Sequence, residues 1–123
     1  MTRILVDTSI WIDHLHRAEP SLQGFLGESR VIAHPMIIGE LALGSIRNRS
    51  EVLSLLSGLP AAPVATPSEV LRLVEDRHLH GTGISLVDAH LLASALIGGD
   101  VRLWTRDRRL SAAASDAGVL ADV

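Results

Sequence analysis

Four carboxylates are the side chains in this sequence best suited to chemistry: Asp7, Glu40, Asp88 and Asp107. Asp7 is the only charged residue from Ile4 to Ile12, and Glu40 the only one from Pro35 to Ser45. Asp88 stands alone between Gly81 and Gly99 when histidines are counted as neutral. On a helix Asp88 continues the stripe of Leu91, Leu92 and Ala95, which points it toward a core. Glu40 has Met36, Ile37, Leu43 and Gly44 at the same offsets, in a segment apolar nearly all round. An ionised carboxylate facing inward is costly without a partner. If several converge, their repulsion raises their pKa values unless a cation is present. Mg²⁺ and Mn²⁺ are the hard ions that take carboxylate oxygens, and Mg²⁺ keeps several waters for a substrate or nucleophile. Such a centre suits phosphoryl chemistry: it orients a phosphodiester, neutralises developing charge and acidifies a water.

Each acid also has a purely structural reading. Asp7 can cap the helix that follows it. Asp88 lies three residues after Ser85, the spacing of a capping box. Glu40 can meet an arginine from elsewhere in the chain. Asp107, flanked by Arg106, Arg108 and Arg109, can form a surface ion pair. Taken together these readings weaken, because no cap explains Glu40.

The elements that must position these acids follow from patterning. Arg3 to Val6 reads as a buried strand ending at Asp7, followed by a helix over Thr8 to Arg17. Pro20 opens a short helix to Gly27, and Val31 to Ala33 is a second strand. Pro35 starts a helix running to about Ile46. Asn48 and Glu51 are spaced as a cap pair for a further helix, and Val64-Ala65 is a short strand candidate. Thr66-Pro67-Ser68-Glu69 is a capping box opening a helix to about His80. After the Gly81-Thr82-Gly83 loop, Ser85 to Ile97 is a helix closed by Gly98-Gly99. Val101 to Thr105 is a strand, Asp107 to Ala117 a helix, and Val119 to Val123 an edge-strand candidate. Strands alternating with helices predict an α/β fold with a short, mostly parallel sheet flanked by helices. In such sheets the site lies beyond the carboxyl ends of the strands, at Asp7 and just after Trp104.

Composition narrows the classes. The chain has 123 residues, one domain's worth, and 47% of them are apolar, which excludes a disordered chain. With no cysteine there is no disulfide framework, thiolate zinc site or cysteine nucleophile. The N-terminus meets an acid after three apolar residues, unlike a signal peptide, and no run approaches a membrane span. The expectation is a soluble, cytoplasmic protein. A net charge of −3 advertises no global nucleic-acid field, and all eleven bases are arginine. Trp11, Phe25 and Trp104 are the only aromatic residues, too few for reading single strands by stacking.

Four blocks carry a family resemblance that spans nearly the whole chain. Ile4-Leu5-Val6-Asp7-Thr8-Ser9 and Pro35-Met36-Ile37-Ile38-Gly39-Glu40-Leu41 resemble the first strand and the glutamate helix of PIN-domain proteins. Ser85-Leu86-Val87-Asp88-Ala89-His90-Leu91-Leu92-Ala93 and Leu103-Trp104-Thr105-Arg106-Asp107-Arg108-Arg109-Leu110 resemble that family's third and fourth acidic blocks. The order and spacing resemble, more narrowly, the VapC toxins of type II toxin–antitoxin pairs. The resemblance implies a three-layer PIN-like sandwich and an endoribonuclease that hydrolyses RNA phosphodiesters with Mg²⁺ or Mn²⁺. It implies an acidic cluster of Asp7, Glu40, Asp88 and Asp107, of which Asp7 and Asp88 are expected to ligate most directly. Ser9 and Thr105 carry hydroxyls suited to holding carboxylates or waters. A VapB-like antitoxin covering the site, a homodimer, and operator DNA bound only through the antitoxin are further implications.

Other readings stay open at this stage. Arg102, Arg106, Arg108 and Arg109, with Arg47 and Arg49, suit either phosphate guidance or a solvated, salt-bridged surface. Six histidines allow a metal-independent ribonuclease, although His14 with His16, and His78 with His80, are spaced poorly for a shared helix face. An aspartyl-phosphate enzyme would want a lysine, and the chain has none. A catalytically silent module that docks a partner protein is the alternative from a different class.

Overall fold

The computed structural model describes all residues from Met1 to Val123. Three short strands form the sheet: β1 (Arg3–Val6), β2 (Val31–Ile32) and β3 (Val101–Trp104). Seven helices flank it: α1 (Thr8–His16), α2 (Pro20–Gly27), α3 (Pro35–Leu43), α4 (Arg49–Ser57), α5 (Pro67–Asp76), α6 (Leu86–Gly98) and α7 (Arg108–Asp116). All strand pairings are parallel, in the order β2-β1-β3. Ile4 faces Val31 on one side and Arg102 on the other, and Val6 faces Trp104. The expected α/β class with a parallel sheet is what the chain adopts.

The strands are apolar on both faces because helices cover them, as parallel sheets require. Leu5 and Leu103 are fully buried at the centre, and Ile10, Ile37, Leu41, Leu91, Leu92 and Leu110 pack from the helices. Truncating a core leucine such as Leu103 to alanine is worth about 2–5 kcal/mol. Trp104 meets Phe25 edge to face at 5.9 Å, which ties β3 to α2.

This topology sets the position of the site. The chain winds from β1 to β2 on one side, then places β3 on the other side of β1. The winding reverses at β1, so the place such sheets use for a site lies beyond its carboxyl end. Asp7 follows β1 immediately and Thr105 follows β3.

Several boundaries differ from the sequence expectations. Helix α3 stops at Leu43, with Gly44 extended at its end, and does not reach Ile46. Asn48 sits in the left-handed region with φ of 51° and its side chain makes no capping bond, so the Asn48–Glu51 pair does not form. Helix α5 ends at Asp76, and His78 takes a positive φ of 54° that stops continuation toward His80. Val64-Ala65 is not a strand; the chain instead touches the sheet through a single parallel bridge between Ala33 and Ala61. The C-terminal segment likewise contributes one bridge, Leu103 with Leu120. Short segments of this kind are held by one or two ladder bonds, too few to show as a hydrophobic alternation.

Candidate active site

Asp7 is buried, with 7% of its surface exposed, and its backbone takes an extended conformation between β1 and α1. Its Oδ1 accepts the Thr8 backbone N–H at 2.7 Å and its Oδ2 accepts the Thr105 hydroxyl at 2.7 Å. Ser9 Oγ lies 3.5 Å from Oδ2, at the long limit of such a bond. Thr105, also buried, in turn accepts the Asp107 backbone N–H at 3.1 Å. Burial raises the Asp7 pKa above the usual carboxylate range, against the bonds from Thr105 and Thr8. The charges of Glu40 and Asp107 push it further in the same direction.

Glu40 lies on the exposed side of α3, contrary to the inward placement its apolar neighbours suggest. Ile37 and Leu41, four residues apart on one face, take the buried side instead. The Thr8 hydroxyl donates to Glu40 Oε1 at 2.6 Å, so a hydroxyl, not an arginine, fixes this carboxylate. Thr8 was not among the expected site residues. Its place one residue past the Asp7 turn was the only signal for it.

Asp88 is half-buried in the first turn of α6 and completes a capping box with Ser85. The Ser85 N–H donates to Asp88 Oδ2 at 3.3 Å and the Asp88 N–H to Ser85 Oγ at 3.1 Å. Burial pushes the Asp88 pKa up against these two bonds, and the charges of Asp7 and Asp107 add to the rise. Asp107 is exposed and caps α7 by accepting the Leu110 N–H at 2.9 Å.

The four acids thus share one electrostatic neighbourhood, although they come from four separate segments. None forms an ion pair. The surface ion pair expected for Asp107 is absent because Arg106 turns away, binding Asp13 of α1 and Glu19 at the start of α2. What offsets the repulsion is backbone: α1, α6 and α7 all begin at this edge, each with an acid in or before its first turn. Helix N-termini carry partial positive charge and unpaired N–H groups, which favour carboxylates. The capping readings and the cluster reading therefore describe the same residues at once.

No three of the histidine, aspartate and glutamate side chains stand close enough to hold one ion between them directly. The arrangement suits a hydrated hard cation that takes one or two carboxylates and reaches the others through water, as Mg²⁺ does. Histidines do not join the acids as a donor set. His34 is fully buried and caps α3 through Nδ1, which accepts the Met36 N–H at 3.0 Å. Its pKa is lowered, mainly by burial and secondarily by His90, whose ring lies 6.4 Å away. His14 Nδ1 accepts the Glu19 N–H.

A parallel three-stranded sheet with acids just past two strand ends, in the first turn of α6 and on the exposed side of α3 defines a class. The PIN domain family matches residues 4–116, and the chain belongs to it. Over 116 residues, covering 94% of this chain and 94% of the relative, it is 53% identical to Ribonuclease VapC32 of Mycobacterium tuberculosis. The same figures hold for that protein in strain CDC 1551 / Oshkosh and in strain ATCC 25618 / H37Rv.

Proposed function

We propose that this PIN-domain protein is a VapC-type endoribonuclease toxin that hydrolyses RNA phosphodiesters with Mg²⁺ or Mn²⁺. The observation that carries the reading is the set of four neighbouring carboxylates with no cationic partner in a chain with eleven arginines. Two of them, Asp7 and Asp88, have pKa values raised by burial, and the acids around them raise these further. A divalent cation would supply the positive charge that no side chain brings to these acids. The identity to a VapC ribonuclease over nearly the full length supports RNA as substrate.

In this mechanism Asp7 and Asp88 would hold the cation. Thr105 and Thr8 keep Asp7 in one orientation, each using a single lone pair and leaving others free. When bound, the ion neutralises charge on the phosphodiester and makes a water more acidic. Glu40 is fixed through Oε1 by Thr8, which leaves Oε2 on the exposed side to take a proton from the attacking water. Asp107 lies at the rim and contributes through water. Attack of the water oxygen at phosphorus breaks the bond to the 3′ oxygen, which takes a proton from solvent, leaving a 5′ phosphate and a 3′ hydroxyl.

A VapB-like antitoxin covers this edge, and the toxin works as a cytoplasmic homodimer that meets operator DNA only through that partner. No helix is long and apolar enough to cross a membrane. Leu43, at the end of the Glu40 helix, is 92% exposed, an apolar side chain that a covering protein would bury.

The deciding experiment is cleavage of a mixed RNA pool with Mg²⁺, Mn²⁺ or EDTA, with product ends mapped. Metal-dependent cuts bearing 5′ phosphates are expected. Activity in EDTA with cyclic-phosphate ends would assign the chemistry to histidine. Binding of an antitoxin with no cleavage at any metal concentration would make the protein a silent docking module.

A further inference from the structure

Arg109 lies in the first turn of α7, two residues past Asp107. Its guanidinium rests on Gly83, in the loop that leads into α6. A Cβ built on Gly83 would stand 2.8 Å from Cζ, Nε and Nη1 of Arg109 alike. Equal distances to three atoms of the fork mean that the glycine meets the face of the guanidinium. The N–H donors lie in the guanidinium plane, so this seat leaves them pointing sideways and unused.

No protein group takes those donors. Arg3, Arg30 and Arg106 pair with acids, and Arg49 and Arg102 bind backbone carbonyls. Arg109 forms neither kind of contact, although Asp107 and Asp88 lie on the two segments it spans. It is exposed, at the rim of a site whose four negative charges repel a polyanion.

We propose that Arg109, seated face-on against Gly83, is the RNA-phosphate anchor of this site. It binds two non-bridging oxygens of a backbone phosphate beside the scissile one, reading charge and shape without base identity. The proposal rests on the ribonuclease reading above. Gly83 serves it twice: its φ of +87° suits glycine, and the missing side chain leaves room for the guanidinium. Arg108 is equally exposed but has no such seat, so it loses more rotamer freedom on binding.

The test is steady-state cleavage of a fluorescein-labelled RNA oligonucleotide that the wild-type protein cuts in Mg²⁺, repeated over a range of salt concentrations. Arg109→Gln is expected to raise KM about tenfold, the scale of a charged hydrogen-bonded contact, with kcat within about twofold. The salt dependence of log(kcat/KM) becomes shallower by about 0.7, the value for one single-strand phosphate contact. Arg109→Lys keeps the slope but not the full affinity, and Arg108→Gln changes KM by less than about twofold. Gly83→Ala displaces the guanidinium, so it reproduces the KM rise and adds nothing in the double variant with Arg109→Gln. An unchanged KM and salt slope in Arg109→Gln would overturn the anchor while leaving the ribonuclease reading intact. If Gly83→Ala does not fold, the Arg109 variants decide alone. If the wild-type protein cuts no RNA with either metal, both readings fall together.

Discussion

Thr105 donates its hydroxyl to Asp7 Oδ2 at 2.7 Å across 98 residues of sequence. The Thr105 hydroxyl oxygen in turn accepts the Asp107 N–H, so one buried side chain joins the acid after β1 to the acid after β3. The bond is possible because β1 and β3 pair in register, with Val6 opposite Trp104, so their next residues emerge side by side. It also favours the charged form of a carboxylate whose pKa burial raises.

Replacing Thr105 with valine keeps the shape and removes the hydroxyl. Asp7 then lacks its side-chain donor, and the expected loss of stability is about 1–3 kcal/mol. Cleavage is expected to fall by about tenfold or more as Asp7 loses its orientation. Thermal unfolding and RNA cleavage measure the two effects, and Thr105→Ser restores both. Full activity in the valine variant would remove Thr105 from the site.

Thr8 and Glu40 give a cleaner separation of stability from function. Thr8→Val removes the donor to an exposed carboxylate, so stability changes by less than about 0.5 kcal/mol. Glu40 loses its fixed rotamer, and cleavage falls about tenfold. Glu40→Gln removes the proton acceptor altogether and lowers kcat by about 100-fold or more. A kcat for Glu40→Gln equal to wild type would exclude it as the base.

Asp88 combines a helix-capping function with a raised pKa, so its two substitutions differ. Asp88→Asn keeps an acceptor for the Ser85 N–H and removes the charge, and the metal-free protein is expected to become slightly more stable. Asp88→Ala loses that acceptor as well, a cost of about 0.5–2 kcal/mol that offsets the relief of repulsion. Both variants lower cleavage by about 100-fold or more. An Asp88→Asn protein that cuts RNA normally would refute the assignment.

The raised pKa values of Asp7 and Asp88 also set a pH dependence. Below the ordinary carboxylate value of about 4, folded and unfolded chains are both protonated at these sites and their contribution is fully present. Above it the unfolded chain releases its protons first, so stability is lost as pH rises through the two elevated values. Glu69 and Asp100, whose pKa values are lowered by Thr66 and Arg3, act in the opposite direction, losing stability as pH falls; both are exposed. In EDTA, the apparent Tm contribution of Asp7 and Asp88 is read as the difference from the Asp7→Asn/Asp88→Asn double variant. That difference should favour the double variant increasingly as pH rises above about 4. Adding Mg²⁺ at neutral pH should raise the wild-type Tm and leave the double variant unmoved.

Much of this fold is local and therefore legible in the chain. The boundaries of β1 and α2, the capping boxes at Thr66 and Ser85 and the left-handed Gly99 after α6 depend on residues within a few positions of one another. The bridge at Ala61 to a distant segment leaves no comparable pattern, whereas the one at Leu120 falls within the edge-strand candidate Val119 to Val123, which pairs at that residue alone. Glu40 shows the same limit within a helix. A stretch that is apolar all round does not identify its buried face, and packing of Ile37 and Leu41 made that choice.

Asp7, Glu40 and Asp88 are visible in the sequence as isolated charges in apolar segments, Asp107 only by its place past a strand end among arginines, and the PIN-like order of the four blocks is legible with them. Two things are decided only by the tertiary structure: which donors hold each acid, and which unpaired arginine beside them is seated on another loop. Thr8 reaches Glu40 across 32 residues, and Arg109 reaches the glycine of another loop. Arg106 turns to Asp13 and Glu19 and leaves Asp107 free of a cation. Residue type and short-range spacing fix helical and strand preference because those depend on neighbouring backbone. Hydrogen bonds between distant side chains depend on how the sheet aligns its strand ends, and that alignment exists only once the chain has packed.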